Sequence, residues 1–166
     1  MTRGRVLDVV GTLARLGLAA VWLASGLLKA LDPAQTYVAV KAYDVLPTDG
    51  VSIVAGILPW FELALGVLLL LGVGTRAVAV LSAVLLLVFI AGVSQAWARG
   101  LNIDCGCFGG GGAVEPGQTQ YVQEIVRDTG FLVLAAWLIV RPRTFGALEN
   151  LIGRAAEPGP RHSKVG

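Results

Sequence analysis

Charged residues are sparse along most of this chain, and where they do occur they come in short groups between long apolar runs. The runs Thr12 to Leu31, Val51 to Leu71, Ala77 to Trp97 and Tyr121 to Val140 each approach the ~20 residues that a helix needs to cross the hydrocarbon core of a bilayer. They predict four membrane-spanning helices. Gly72-Val73-Gly74-Thr75-Arg76 reads as a tight turn between antiparallel neighbours, whereas the connections around Tyr43 and Cys105 are long. In the first long connection, Tyr37, Val38, Val40, Tyr43, Val45 and Leu46 precede Pro47 with an amphipathic character. A short interfacial helix on the outer leaflet fits that spacing, with Tyr37 and Tyr43 at headgroup depth; a plain connecting loop with an aromatic anchor fits it too.

Composition supports the bilayer as solvent. Of 166 residues, 55% are hydrophobic and 14% charged, against roughly 25% charged in soluble domains, and the mean hydropathy is +0.74. A soluble single-core fold is excluded, because too little polar surface is left to face water. The net charge of +2 is too small and scattered for nucleic-acid binding. Arg3, Arg5, Arg15, Arg76, Arg141, Arg143, Arg154, Arg161 and Lys164 fall on one side of the predicted spans, and Lys29, Lys41, Arg99 and Arg127 on the other. The positive-inside rule then puts both termini in the cytoplasm and the two long loops outside. Arg15, Lys29 and the Leu31-Asp32-Pro33 ending give no small-residue cleavage pattern, so the first helix is expected to be retained. The expected architecture is an all-α integral membrane protein, an antiparallel four-helix transmembrane bundle over residues 1–145, with two long extracytoplasmic loops. A basic cytoplasmic tail follows over 146–166, largely disordered beyond about Arg154.

The two cysteines, Cys105 and Cys107, flank Gly106. Closing a disulfide across a single residue forces an unusual turn, for which Gly106 supplies the dihedral freedom. A bond strained in that way is easily reduced, which is the property of an exchanging pair. Arg99 nearby favours a thiolate and Asp104 opposes it. The bland readings are a structural disulfide, which would staple nothing distant; a metal site, short of ligands with His162 on the predicted opposite side; and two unrelated thiols, which in an exposed loop on an oxidising face tend to pair.

Glu62 falls ~16 Å from the outer end of the second span, near mid-bilayer. A carboxylate at that depth seeks a partner or a functional role. Pro59 is expected to open the helix locally around it, and Lys29 reaches either Glu62 or the interface. Glu124 and Asp128 share one helix face, where Arg127 is placed to pair with Glu124. Gathered below the cysteine loop, these groups read either as a polar pocket holding a quinone headgroup or relaying protons, or as structural ion pairs. Trp22, Trp60, Trp97 and Trp137 read as packing or interfacial aromatics, and Gly17, Gly26 and Gly66 as points of close helix contact.

The run Ser25-Gly26-Leu27-Leu28-Lys29-Ala30-Leu31-Asp32-Pro33, the Tyr43 to Pro47 segment, Pro59-Trp60-Phe61-Glu62-Leu63 and Asp104-Cys105-Gly106-Cys107-Phe108-Gly109 together resemble the MauE branch of the DoxX-like membrane proteins. The resemblance covers Arg15 to about Val140. It implies a four-helix bundle associated with disulfide formation, or with electron transfer to thioredoxin-like proteins outside the membrane. It also implies Cys105 and Cys107 as the redox pair and Lys29 and Glu62 as polar family positions of unknown role; electrons are expected to pass to or from a membrane quinone held near those two residues. The chain lacks the second cysteine pair of DsbB-type and vitamin-K-reductase-type oxidoreductases, so exchange would run directly between Cys105/Cys107 and a partner or quinone. A thiol-disulfide oxidoreductase is therefore the leading expectation, and no metal is expected. The rivals are a non-catalytic membrane scaffold or assembly factor and, with four helices and no repeat against it, a small-solute transporter.

Overall fold

A computed structural model of the chain describes residues 3–142 and 144–148. In chain order the elements are α1 (Arg3–Leu31), α2 (Pro33–Ala42), α3 (Thr48–Leu71), α4 (Thr75–Ala98), β1 (Ile103–Asp104), β2 (Gly112–Ala113) and α5 (Tyr121–Val140). The four expected apolar stretches are all helical, and α5 has the expected bounds. Gly4–Leu31, Thr48–Leu71 and Thr75–Ala98 are long and apolar enough to cross a membrane. The first half of α5 carries Glu124, Arg127 and Asp128, and these three charges keep it out of that set among the described residues.

The first long connection contains a ten-residue helix, not a plain loop. Asp32 accepts a hydrogen bond from Gln35 N at 3.0 Å, and Pro33 occupies the first turn, a combination that starts helices efficiently. α3 is continuous through Pro59, where the proline has no N–H to donate to the preceding turn. It stops at Gly72, whose φ of +68° lets its N–H reach back to Leu68 O and Leu69 O, and α4 begins directly after Gly74, closing a helical hairpin.

α1 packs mainly on α3, α4 mainly on α5, and α5 also touches α1. The α1–α3 approach depends on small residues. A Cβ on Gly26 would lie 2.8 Å from Pro59 O, and one on Gly66 would lie 2.7 Å from Leu23 Cγ, so backbones meet where a side chain would separate them. Gly17 has no such contact; a Cβ there would meet only Leu134, at 3.9 Å. Leu18, Trp22, Leu65, Leu69, Leu86 and Leu138 fill the space between the helices, and Trp22 Nε1 donates to Ser82 Oγ at 2.9 Å. Outward positions such as Leu13, Ile53, Ile57, Val88 and Val133 are aliphatic and exposed, a surface suited to lipid and poorly suited to water.

Arg15, expected as a topology charge, is instead buried at the other end of the bundle. Its Nη1 donates to Leu69 O at 2.8 Å and Leu70 O at 3.1 Å, and its Nη2 to Phe145 O at 3.1 Å. It thereby satisfies carbonyls that the end of α3 leaves open and holds the segment after α5, where Phe145 N also donates to Thr12 Oγ1. Residues 146–148 thus adjoin the bundle. Of the tail expected over 146–166, residues 149–166, with Arg154 and the Glu157-Pro158-Gly159-Pro160 run, lie outside the described residues.

Candidate functional site: a buried cysteine pair between α4 and α5

The connection between α4 and α5 folds back through β1 and β2, paired antiparallel with Ile103 opposite Ala113 and Asp104 opposite Gly112. This small hairpin turns the Cys105–Gly111 tip inward. Gly106 and Gly111 hold φ of +66° and +97°, and a Cβ on either would come within 2.7 Å of Ala39 Cβ. Both the dihedrals and the space thus require glycine, and α2 presses directly on the tip. Only 8% of Cys105 and 7% of Cys107 is exposed, where an exposed loop was expected. The two thiols are free.

Depth explains the burial. Ser25, whose Oγ donates to Cys107 O at 2.6 Å, lies six residues before the end of α1, or ~9 Å below it at 1.5 Å per residue. Irregular backbone is tolerated at such depth only when its polar groups are satisfied by the protein. Here they are. Cys107 O also accepts from Lys29 Nζ at 2.9 Å, and Cys105 O accepts from Tyr43 Oη at 3.1 Å. Cys105 N donates to Glu124 Oε1 at 3.4 Å, Gly106 N to Asp104 Oδ1 at 3.1 Å, and Cys107 N to Cys105 Sγ at 3.3 Å. From α2, Gln35 Nε2 donates to Gly111 O at 2.5 Å.

Beneath the tip, Lys29 and Glu62 face each other from α1 and α3, with 3.0 Å between Nζ and each carboxylate oxygen. Lys29 Nζ also contacts Ser25 Oγ at 2.6 Å. Its three protons are thereby met by three residues: Glu62, Ser25 and Cys107. The Ser25 hydroxyl has one proton, and its 2.6 Å contact with Cys107 O is shorter than the 3.0 Å to Glu62 Oε2. The two residues expected near a quinone form a closed, internally neutral cluster whose outward contact is a carbonyl of the cysteine loop.

On the other flank, α5 brings Arg127 to the sulfur, with Nη2 3.7 Å from Cys105 Sγ and Cζ 4.9 Å from the Phe108 ring centroid. Its Nε pairs with Asp128 Oδ1 at 3.1 Å. The expected Arg127–Glu124 pair is not formed, because Glu124 turns to Cys105 N and the guanidinium turns to the sulfur. Arg99, expected to favour the thiolate, pairs with Asp44 at 2.8 Å on the surface. The Cys107 thiol donating to Cys105 is the largest influence holding the Cys105 thiol below its ordinary value; burial opposes this and Arg127 adds to it. Cys107 is pushed well up, first as the donor to Cys105 and then by burial. The Tyr43 phenol is raised far above its usual range, chiefly by burial, so it stays protonated and keeps donating to Cys105 O.

A polar cleft bounded by Asp104, Phe108, Gln123, Glu124 and Arg127 reaches both cysteines from this flank. Oxygens of Asp104 and Glu124 and the Cys105 sulfur lie within 4.8 Å of one another, close enough to share a cation; the cation already beside that sulfur is Arg127. Of the residues whose part went unassigned in the sequence, Ser25 was the most accessible to reasoning, since Ser25 and Lys29 are spaced i, i+4 on one helix face.

The fold and the site define a multi-pass helical membrane protein with a buried dithiol held in an inward-turned loop. The chain matches the family described as Methylamine utilisation protein MauE over residues 7–141, and it belongs to that family. No curated protein and no solved structure matches it.

Proposed function

We propose that the chain is a membrane thiol-disulfide oxidoreductase in which Cys105 and Cys107 exchange with an extracytoplasmic thioredoxin-like protein. Arg127 beside Cys105 Sγ carries the reading: a guanidinium 3.7 Å from one sulfur, with the Cys107 backbone N–H donating to the same sulfur at 3.3 Å, is an arrangement that favours a reactive thiolate. Cys105 is the thiolate that attacks or is attacked through the polar cleft, forming the mixed disulfide, and Cys107 resolves it. Spanning by α5 completes an antiparallel four-helix transmembrane bundle, its charged first turns covered by the loop. Both termini are then cytoplasmic and the cysteine loop opens outward, in keeping with the basic residues near the termini. Membership of a methylamine utilisation family suits a membrane accessory role, and thiol exchange is the form of it that these residues support.

The test is trapping. With a thioredoxin-like partner or a disulfide-bonded model peptide, Cys107→Ser is expected to accumulate a mixed disulfide through Cys105, while Cys105→Ser forms none. Full exchange by both variants would end this reading. The burial of both sulfurs favours a second reading, a non-catalytic scaffold or assembly factor that recruits another protein. In that case the alkylation pattern of the thiols would not follow the ambient redox potential.

A further inference from the structure

The cysteine pair has two sides. Opposite the polar cleft, Cys105, Gly106 and Cys107 form one wall of a cavity of about 150 Å³, completed by apolar side chains that include Val40, Leu58 and Phe89. Val54 of α3 and Val88 of α4 also line it and are exposed. Both belong to helices long and apolar enough to cross a membrane, so the cavity opens where those helices would meet lipid.

Its few polar wall residues are already engaged. Lys29 Nζ is held by Glu62, Ser25 and Cys107 O, Thr36 Oγ1 donates to the α1–α2 backbone, and Tyr43 Oη donates to Cys105 O. What the cavity presents to an occupant is hydrocarbon and two sulfur-bearing residues. An aliphatic cavity of ~150 Å³ holds one benzene-sized ring. An occupant entering from the lipid side is therefore apolar, the space admits one six-membered ring, and whatever enters lies against a dithiol.

We infer that this cavity seats the ring of a lipid-tailed quinone, which oxidises the Cys105–Cys107 pair from the side opposite the partner protein. The inference rests on the thiol-exchange reading. The Cys105 thiolate and the Cys107 thiol together lose two electrons as the S–S bond forms. The quinone gains those two electrons, and its two oxygens take up the Cys107 proton and one proton from water, leaving hydroquinone. A partner dithiol entering the polar cleft then reduces the Cys105–Cys107 disulfide and leaves as a disulfide. This places the ring against the cysteine loop, with Lys29 on the cavity wall and Glu62 paired behind it.

The experiment uses the full-length protein in detergent micelles, reduced and freed of reductant, with a decyl-tailed benzoquinone as probe. Wild type is expected to lose both free thiols as one equivalent of quinone becomes hydroquinone. Leu58→Trp, which fills the cavity from α3, should slow this step about tenfold or more, with exchange against glutathione disulfide unchanged. Val40→Phe, from α2, repeats the test should Leu58→Trp fail to fold. Quinone reduction at the wild-type rate in both variants overturns the inference. So does equal competition by a saturated hydrocarbon without a ring, such as dodecane, which would make the occupant an acyl chain. Failure of wild type to exchange with glutathione disulfide would instead remove the thiol-exchange reading itself, so the two failures are told apart.

Discussion

Replacing Lys29 with methionine breaks a buried ion pair between α1 and α3. Glu62 is fully buried, and without Lys29 its one remaining hydrogen-bond partner among the described residues is the Ser25 hydroxyl, itself shared with Cys107 O. Removing one member of a buried ion pair costs ~3–5 kcal/mol, because the other charge is left uncompensated. Lys29→Met and Glu62→Leu should therefore each lose on that order, whereas the double variant should return near the wild-type stability, since an apolar pair of similar volume replaces a pair already neutral overall. The cysteine loop distinguishes this from simple repacking. In the double variant Cys107 O still loses its hydrogen bond from the ammonium, a bond to a charged group worth ~1.5–3 kcal/mol, so loop opening should rise roughly tenfold to a hundredfold. The assay is a double-mutant cycle by unfolding in mixed micelles, followed by tryptophan fluorescence, with thiol alkylation rates measured on the same samples. Single variants within about 1 kcal/mol of wild type, or a double variant that loses the sum of the two, would refute the assignment of this cluster as a neutral pair supporting the loop.

Three further expectations can be checked. Arg127→Gln removes a cation that helps hold the Cys105 thiol down, so its alkylation-versus-pH curve should move to higher pH, toward the ~8.5 of an ordinary thiol; an unmoved curve would leave Arg127 no part in activation. Gly106→Ala adds a Cβ 2.7 Å from Ala39 Cβ at a φ of +66°, so a loss of ~1–2 kcal/mol from the left-handed dihedral alone, plus displacement of α2, should appear in thermal unfolding and as faster alkylation. Arg15→Met strips hydrogen bonds from Leu69 O, Leu70 O and Phe145 O; unfolding should become easier by several kcal/mol, given ~1.5–3 for each bond to a charged group, while the pH dependence of Cys105 alkylation stays as in wild type.

The helices were legible in the sequence because apolar length is a property of composition alone, and α5 in particular has the bounds that Tyr121 to Val140 suggested. The site was legible only in its parts. Cys105, Cys107, Lys29 and Glu62 stand out by residue type, but that Lys29 would spend its protons on Glu62, Ser25 and Cys107 O depends on the tip turning inward. That turn depends in its own right on a two-residue strand pair too short to leave an alternating pattern. Arg99 and Arg127 show the same limit. Both are close to the cysteines along the chain or on a neighbouring helix, yet Asp44 in the α2–α3 connection takes Arg99 to the surface, and the pitch of α5 gives Arg127 to the sulfur. Arg15 reads as a topology charge because its carbonyl partners lie more than fifty residues away, beyond the reach of any local pattern.

The carbonyl of Cys107 is held by Ser25, 82 residues earlier in the chain, and the cysteine tip also leans on α2, α4 and α5. No early portion of the protein can build this seat, which closes only once α5 has arrived. A chain caught during insertion would thus carry two unguarded thiols on whichever side the loop emerges, open to mispairing with any passing disulfide. Solvent reactivity of Cys105 and Cys107 is then a gauge of completed biogenesis as much as of chemistry, and variants far from the loop that stall assembly would look, in a labelling experiment, like variants of the redox pair itself.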